Sequence, residues 1–139
     1  MNKLQSMIAR HEGLRLKPYV DTTGHVTIGY GRNLTDIGID VTEAEIMLLR
    51  DIIRAKEEAK KYSWYEGLND TRAAVVIDMI YNLGAQGFSE FKATHRAIEA
   101  EDWEGAANHM LDSQWARQTG RRAREDAEQM RTGEWVVEA

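Results

Sequence analysis

Apolar residues recur along this 139-residue chain at helical three- and four-residue intervals, broken once, between Gly13 and Gly31, by a strand-like stretch. Asn2 is placed to cap a first helix with Leu4, Met7 and Ile8 on one face, and Gly13 to end it as a C′ residue. Leu16–Asp21 and His25–Gly29 then flank the turn Thr22-Thr23-Gly24, which reads as a hairpin. In its second strand Val26 and Ile28 share one face and Thr27 takes the other. Pro18 belongs at an edge or a strand start. Gly29 and Gly31, on either side of Tyr30, signal bends or a close backbone approach.

Beyond a polar, turn-rich stretch from Asn33 to Asp40, the pattern is helical. Thr42 with Glu45 predicts a capping box, stapled by Val41 and Ile46, for a helix reaching about Lys61. Ile46, Leu49, Ile52, Ile53 and Ala59 form its expected buried stripe, and its length is roughly 30 Å at 1.5 Å per residue. Asn69 caps a strongly apolar helix closed by Gly84, with Val76, Ile77, Ile80 and Leu83 as central core. Shorter helices are predicted over 89–100, 102–111, 113–118 and 121–132, with Gly133 as the last stop. The fold class is α+β. A small lobe with a short β-meander spans about residues 12–41, and an interlobe helix about 42–61. A helical lobe over about 62–139 is completed by the N-terminal helix.

Composition narrows the function. There are no cysteines, so disulfides, thiolate nucleophiles and cysteine-bound metals are out. His11, His25, His95 and His109 lack metal-ligand spacing, so a metal site is not expected; no organic cofactor is expected either. Lys3, Arg10, His11 and Glu12 break up the N-terminal apolar run, which predicts neither a signal peptide nor a membrane span. A net charge of −5 argues against nucleic acid as the main partner. Basic residues nevertheless gather in 1–35 and 114–131, where they either attract an anionic polymer or are simply solvated.

Three residues of the hairpin region carry candidate chemistry. Glu12 sits at the end of the first helix, where the exposed carbonyls repel a carboxylate, so a purely structural design would place a cation there. Asp21 comes at the tip of the first strand and Thr27 lies on the second. Two carboxyls in different environments suit glycoside hydrolysis, in which one protonates the leaving oxygen and the other assists water. A hydroxyl beside the second carboxylate could hold that water. The plain alternative is a surface Glu, a turn Asp and a strand Thr, and the spacing alone does not exclude it.

The wider sequence does more. The run E-G-L-R-L-K-P-Y-V-D-T-x-G-x-x-T-I-G-Y-G, from Glu12 to Gly31, resembles the catalytic region of the phage lysozymes of the T4 type, glycoside hydrolase family 24. The likeness continues through Val41-Thr42-x-x-Glu45, Asn69–Val75, Trp103-x-x-Ala-Ala, Ser113-x-Trp115, Gln118-Thr119-x-x-Arg122-Ala123 and Arg131-Thr-Gly-x-Trp135. It implies a monomeric, lysozyme-like muramidase that cuts the β-1,4 bond between N-acetylmuramic acid and N-acetylglucosamine in peptidoglycan. It further implies a cleft between the lobes, inversion at the anomeric carbon, and accumulation in the host cytoplasm. Release to the cell wall would follow through a holin lesion, without stable membrane insertion.

On this resemblance Glu12 is the general acid, Asp21 the second carboxylate and Thr27 a residue that positions water. Arg122 matches an arginine that approaches the catalytic glutamate, and Asn82 a polar cleft residue on the central helix. Tyr30 and Trp115 either stack on sugar rings or pack in the core, which is the plainer use of both. The chain departs from larger members between Arg32 and Val41, where it is shorter. It also has Arg32 in place of a histidine and Gly120 where proline is common. Two other outcomes stay open: a non-catalytic peptidoglycan-binding module of the same fold, and a lytic transglycosylase.

Overall fold

A computed structural model describes residues 1–136 and divides the chain into two compact units, Met1–Met47 and Leu48–Ala139. The first unit opens with α1 (Lys3–Glu12), then β1 (Arg15–Val20), β2 (Val26–Gly29) and β3 (Arg32–Asn33). Asn2 caps α1 as expected, and Gln5 completes a reciprocal box, each side chain accepting from the other's backbone N–H. The strands form an antiparallel sheet in the order β1-β2-β3, pairing Tyr19 with Thr27 and Thr27 with Asn33. The ladder is irregular between Arg15 and Tyr19, the stretch that contains Pro18. β3 supplies the third strand of the meander.

Helix α2 (Val41–Ala59) starts in the first unit and continues into the second. Its capping box lies two residues earlier than Thr42 and Glu45 suggested. Asp40 Oδ1 accepts from Glu43 N at 2.8 Å, and Glu43 Oε1 accepts from Asp40 N at 3.1 Å. The segment D-V-T-E-A-E offers both boxes. Arg32 favours the earlier one, because it grips the Glu43 carboxylate with both terminal nitrogens, at 3.0 and 2.9 Å, and donates to the Gly38 carbonyl.

Two expected apolar faces are not buried. Leu4, Met7 and Ile8 of α1 stay exposed, as do Ile46, Leu49 and Ile53 of α2. The first unit, to which α1 and Ile46 belong, is too small to supply an apolar layer across from their faces. Of α2 only Ala55 and Ala59 are buried, at the end that enters the core of the second unit.

That core is built on α3 (Asp70–Ser89), α4 (Lys92–Glu99), α5 (Trp103–Leu111), α6 (Gln114–Thr119) and α7 (Arg121–Thr132). Val75, Val76, Met79 and Ile80 of α3 meet Ile98 of α4, Met110 of α5, Trp115 of α6, and Ala127 and Met130 of α7. Ile77 and Leu83 are only partly buried. Gly84 does break the helical backbone, at φ 78° and ψ 167°, but a further helical stretch follows to Ser89. Tyr62, Trp64, Phe88 and His95 form an aromatic cluster, with the Phe88 and His95 rings 4.6 Å apart. Burial keeps His95 below the ordinary histidine range.

Candidate active site

The first unit holds four of the residues singled out from sequence, Glu12, Asp21, Thr27 and Tyr30. Glu12 is the last residue of α1, and Gly13 closes the helix by donating its N–H to the Ala9 carbonyl at 2.9 Å. The carboxyl of Glu12 lies over the backbone of Gly31. A Cβ at that position would come within 2.5 Å of Glu12 Oε2 and 3.0 Å of Cδ, and Gly31 has φ +78°. Gly31 is thus the close approach that the flanking glycines signalled: no other residue leaves Glu12 its place.

Asp21 follows β1, at the start of the turn. Its Oδ1 accepts three bonds: from Thr23 N at 2.9 Å, from Thr23 Oγ1 at 2.8 Å and from His25 N at 2.8 Å. These donors, the His25 amide foremost and the Thr23 hydroxyl next, hold the carboxyl below the usual aspartate range. A side chain that organises its own turn is what the sequence D-T-T-G-H encodes. The consequence is a carboxylate with one saturated oxygen, while Oδ2 takes no hydrogen bond from the described residues.

His25 extends this network. Thr23 Oγ1 gives its proton to Asp21, so the 2.6 Å contact with His25 Nδ1 makes that nitrogen the donor. His25 Nε2 faces Asp36 Oδ2 at 3.2 Å, and Asp36 is also bonded by Asn33. His25 is therefore half-buried between two carboxylates rather than freely solvated.

Thr27 is the most buried residue of the unit, 4% exposed. Its hydroxyl donates to the His25 carbonyl at 3.0 Å, which commits the proton and leaves the oxygen as an acceptor. Tyr30 is 46% exposed, so it is not a core aromatic. The turn between β2 and β3 holds it at the surface, where it lines a cavity of about 510 Å³ with Ile28, Arg32, Leu34, Ile37 and Glu43. Trp115 is buried as the plainer reading had it.

The other two residues belong to the second unit. Asn82 Oδ1 accepts from Trp115 Nε1 at 2.8 Å, which fixes the orientation of its amide. Arg122 is engaged by Asp78, donating from Nε to Oδ2 at 3.0 Å and from Nη2 to Oδ1 at 2.7 Å. Asp78 and the neighbouring Asp126 were not singled out from sequence. An aspartate amid the apolar run Val75–Ile80 was the available signal.

Comparisons with known proteins agree with this picture. The phage lysozyme family model matches residues 9–130. The chain is 30% identical over 149 residues to the pre-baseplate central spike protein Gp5 of Enterobacteria phage T4, covering 86% of this chain and 26% of the spike protein. It is 24% identical over 163 residues to a protein of Dictyostelium discoideum named "Probable T4-type lysozyme 1", covering 96% of each. It is 34% identical over 103 residues to a SAR-endolysin of Bacteriophage PS119, covering 71% of this chain and 60% of that one. The chain thus spans about a quarter of the spike protein. Among the described residues no helix is long and apolar enough to cross a membrane. With the match running from α1 into the last turn of α7, the chain belongs to the phage lysozyme family, a family of glycoside hydrolases of the lysozyme type.

Proposed function

We propose that this protein hydrolyses the β-1,4 bond between N-acetylmuramic acid and N-acetylglucosamine in bacterial peptidoglycan. The observation that carries the reading is the hydrogen-bonded state of Asp21. A carboxyl held below its usual range by three donors is ionised at neutral pH, which suits it to assist water and not to give a proton. That leaves Glu12, next to the Gly31 backbone, as the acid for the leaving oxygen.

A nucleophilic water needs acceptors for its protons so that a lone pair can turn to the anomeric carbon. Thr27 Oγ1, its own proton committed, and Asp21 Oδ2 are suitable acceptors. Direct attack by such a water would invert the anomeric centre. Tyr30, Asn82 and Arg122 are assigned to substrate binding, Tyr30 by presenting an exposed ring to a sugar face. In this reading the protein acts as a monomer, is held in the host cytoplasm until a holin lesion opens, and then lyses the host from the cell wall.

The test is digestion of purified peptidoglycan, followed by turbidity and by mass analysis of the fragments. Reducing N-acetylmuramic acid ends are the expected result. Anhydro ends would make the protein a lytic transglycosylase, and binding to the wall without cleavage would make it a recognition module.

A further inference from the structure

Asp126 is the one buried acidic side chain among the described residues, 5% exposed. It lies one turn after Arg122 on α7, and as a carboxylate its Oδ2 would have no hydrogen-bond partner. Beside it, from α3, comes Asp78, whose two oxygens are already taken by Arg122. A buried carboxyl beside a second one, whose side chain is 38% exposed and ion-paired, is the one that gives up its charge. Asp78 holds the cation, so Asp126 is the one that keeps a proton, and its O–H can donate to Asp78, with which it lines one hollow.

We propose that Asp126 is a positioning residue: as a neutral acid it donates to Asp78 and so locks the Asp78 carboxylate onto the Arg122 guanidinium. Burial, then the hydrogen bond and charge of Asp78, push Asp126 up to about 9. Burial also raises Asp78, but the bonds from Arg122 and Asp126 outweigh it and hold that carboxyl low. The charges acting on Asp126 are Asp78 from α3 and Arg122 and Glu125 from its own helix, and Tyr81 of α3 acts on Arg122. Helices α5 and α6, also packed on α7, contribute the buried apolar residues Ala106, Ala107, Met110 and Trp115.

The sign follows from where the proton sits. An unfolded aspartate ionises near pH ~3.9, whereas the folded one keeps its proton to about 9. The folded state is therefore favoured most below about pH 4, and this contribution is lost as the pH rises through about 9. Within that window the folding constant falls by up to ~tenfold per pH unit. D126N keeps a donor for Asp78 and cannot ionise, so it should lose this slope, matching wild type at pH ~4 and exceeding it increasingly at higher pH.

The experiment combines a carboxyl carbon-13 NMR titration of the wild-type chain with urea unfolding of wild type and D126N at pH ~4, ~6 and ~8. Asp126 should remain protonated at neutral pH, and the two stability curves should diverge upward in pH. An Asp126 that titrates in the ordinary aspartate range, or parallel curves, would overturn the proposal. If D126N does not fold, the wild-type titration decides alone.

The kinetic half rests on the substrate-binding role proposed for Arg122. Wild-type KM on peptidoglycan should rise near pH 9 and D126N should lose that limb, with kcat unchanged. Identical profiles would overturn the positioning role. A wild type that cuts no glycan would instead defeat the proposed function, while titration and unfolding still decide the state of Asp126.

Discussion

In the unit Met1–Met47 the only buried residue is Thr27, a polar one, whereas Leu48–Ala139 buries Val75, Val76, Met79, Phe88, Ile98, Met110 and Met130 among others. The first unit is shaped by hydrogen bonds and turns. Asp21 ties its own loop, Arg32 binds Glu43 and Gly38, and Gly31 admits Glu12. Such bonds are directional but each contributes only about 1 kcal/mol net. The second unit gains its stability from apolar burial at about 25 cal/mol per Å², which is non-directional. Placement of chemistry and stability of the fold therefore reside largely in different parts of the chain, and substitutions should separate them.

The largest effect should come from E12Q. Loss of a general acid lowers cleavage by roughly 100- to 10,000-fold. Removing a carboxylate from the negative end of α1 should leave the melting temperature unchanged or slightly higher. A sharp drop in melting temperature would show that Glu12 holds the first unit together and would blur the comparison.

F88A should do the reverse. The ring is fully buried against Tyr62, Trp64 and His95, and its truncation is expected to cost about 3–5 kcal/mol by urea unfolding. Cleavage per folded molecule should stay near wild type. Falling activity at constant folded fraction would mean that this core shapes the chemistry too.

T27V tests the polar exception. It removes the oxygen proposed to accept from water and one of the two donors to the His25 carbonyl, which keeps the Asp21 N–H, so activity should fall by ~10- to 100-fold, with about 1 kcal/mol of stability. T27S restores the hydroxyl and should recover most of the rate. Equal activity in the two variants would remove Thr27 from the proposed machinery.

G31A should touch stability and the site together. A side chain at φ +78° costs about 1–2 kcal/mol, and its Cβ must displace the Glu12 carboxyl. Thermal melting and cleavage should both decline, cleavage more. An unaffected rate would mean that Glu12 functions away from Gly31.

The sequence made these units unequally legible. Helices α3 to α7 were visible because each packs an apolar stripe at helical spacing, and the Asn69, Asp102 and Ser113 caps lie where side-chain chemistry requires them. The stripe on α2 misled because periodicity shows which face is apolar, not whether anything covers it. The Thr42 box misled because Asp40 competes for the same end and Arg32 decides between them across the loop. Glu12, Asp21 and Thr27 stood out through the motif. The donors that set the charge of Asp21 did not, because they depend on the turn closing. Asp78 and Asp126 are far apart in sequence, and only the packing of α3 on α7 brings them together.

Pro18 has a bearing on how the protein behaves at high concentration. β1 is an outer strand of the sheet, with Leu16 79% and Val20 67% exposed, which is the profile that invites strands of neighbouring molecules to add on. A proline in that edge strand offers no N–H, so an incoming strand meets a gap instead of a template. Pro18 thus guards the sheet against edge-to-edge self-association.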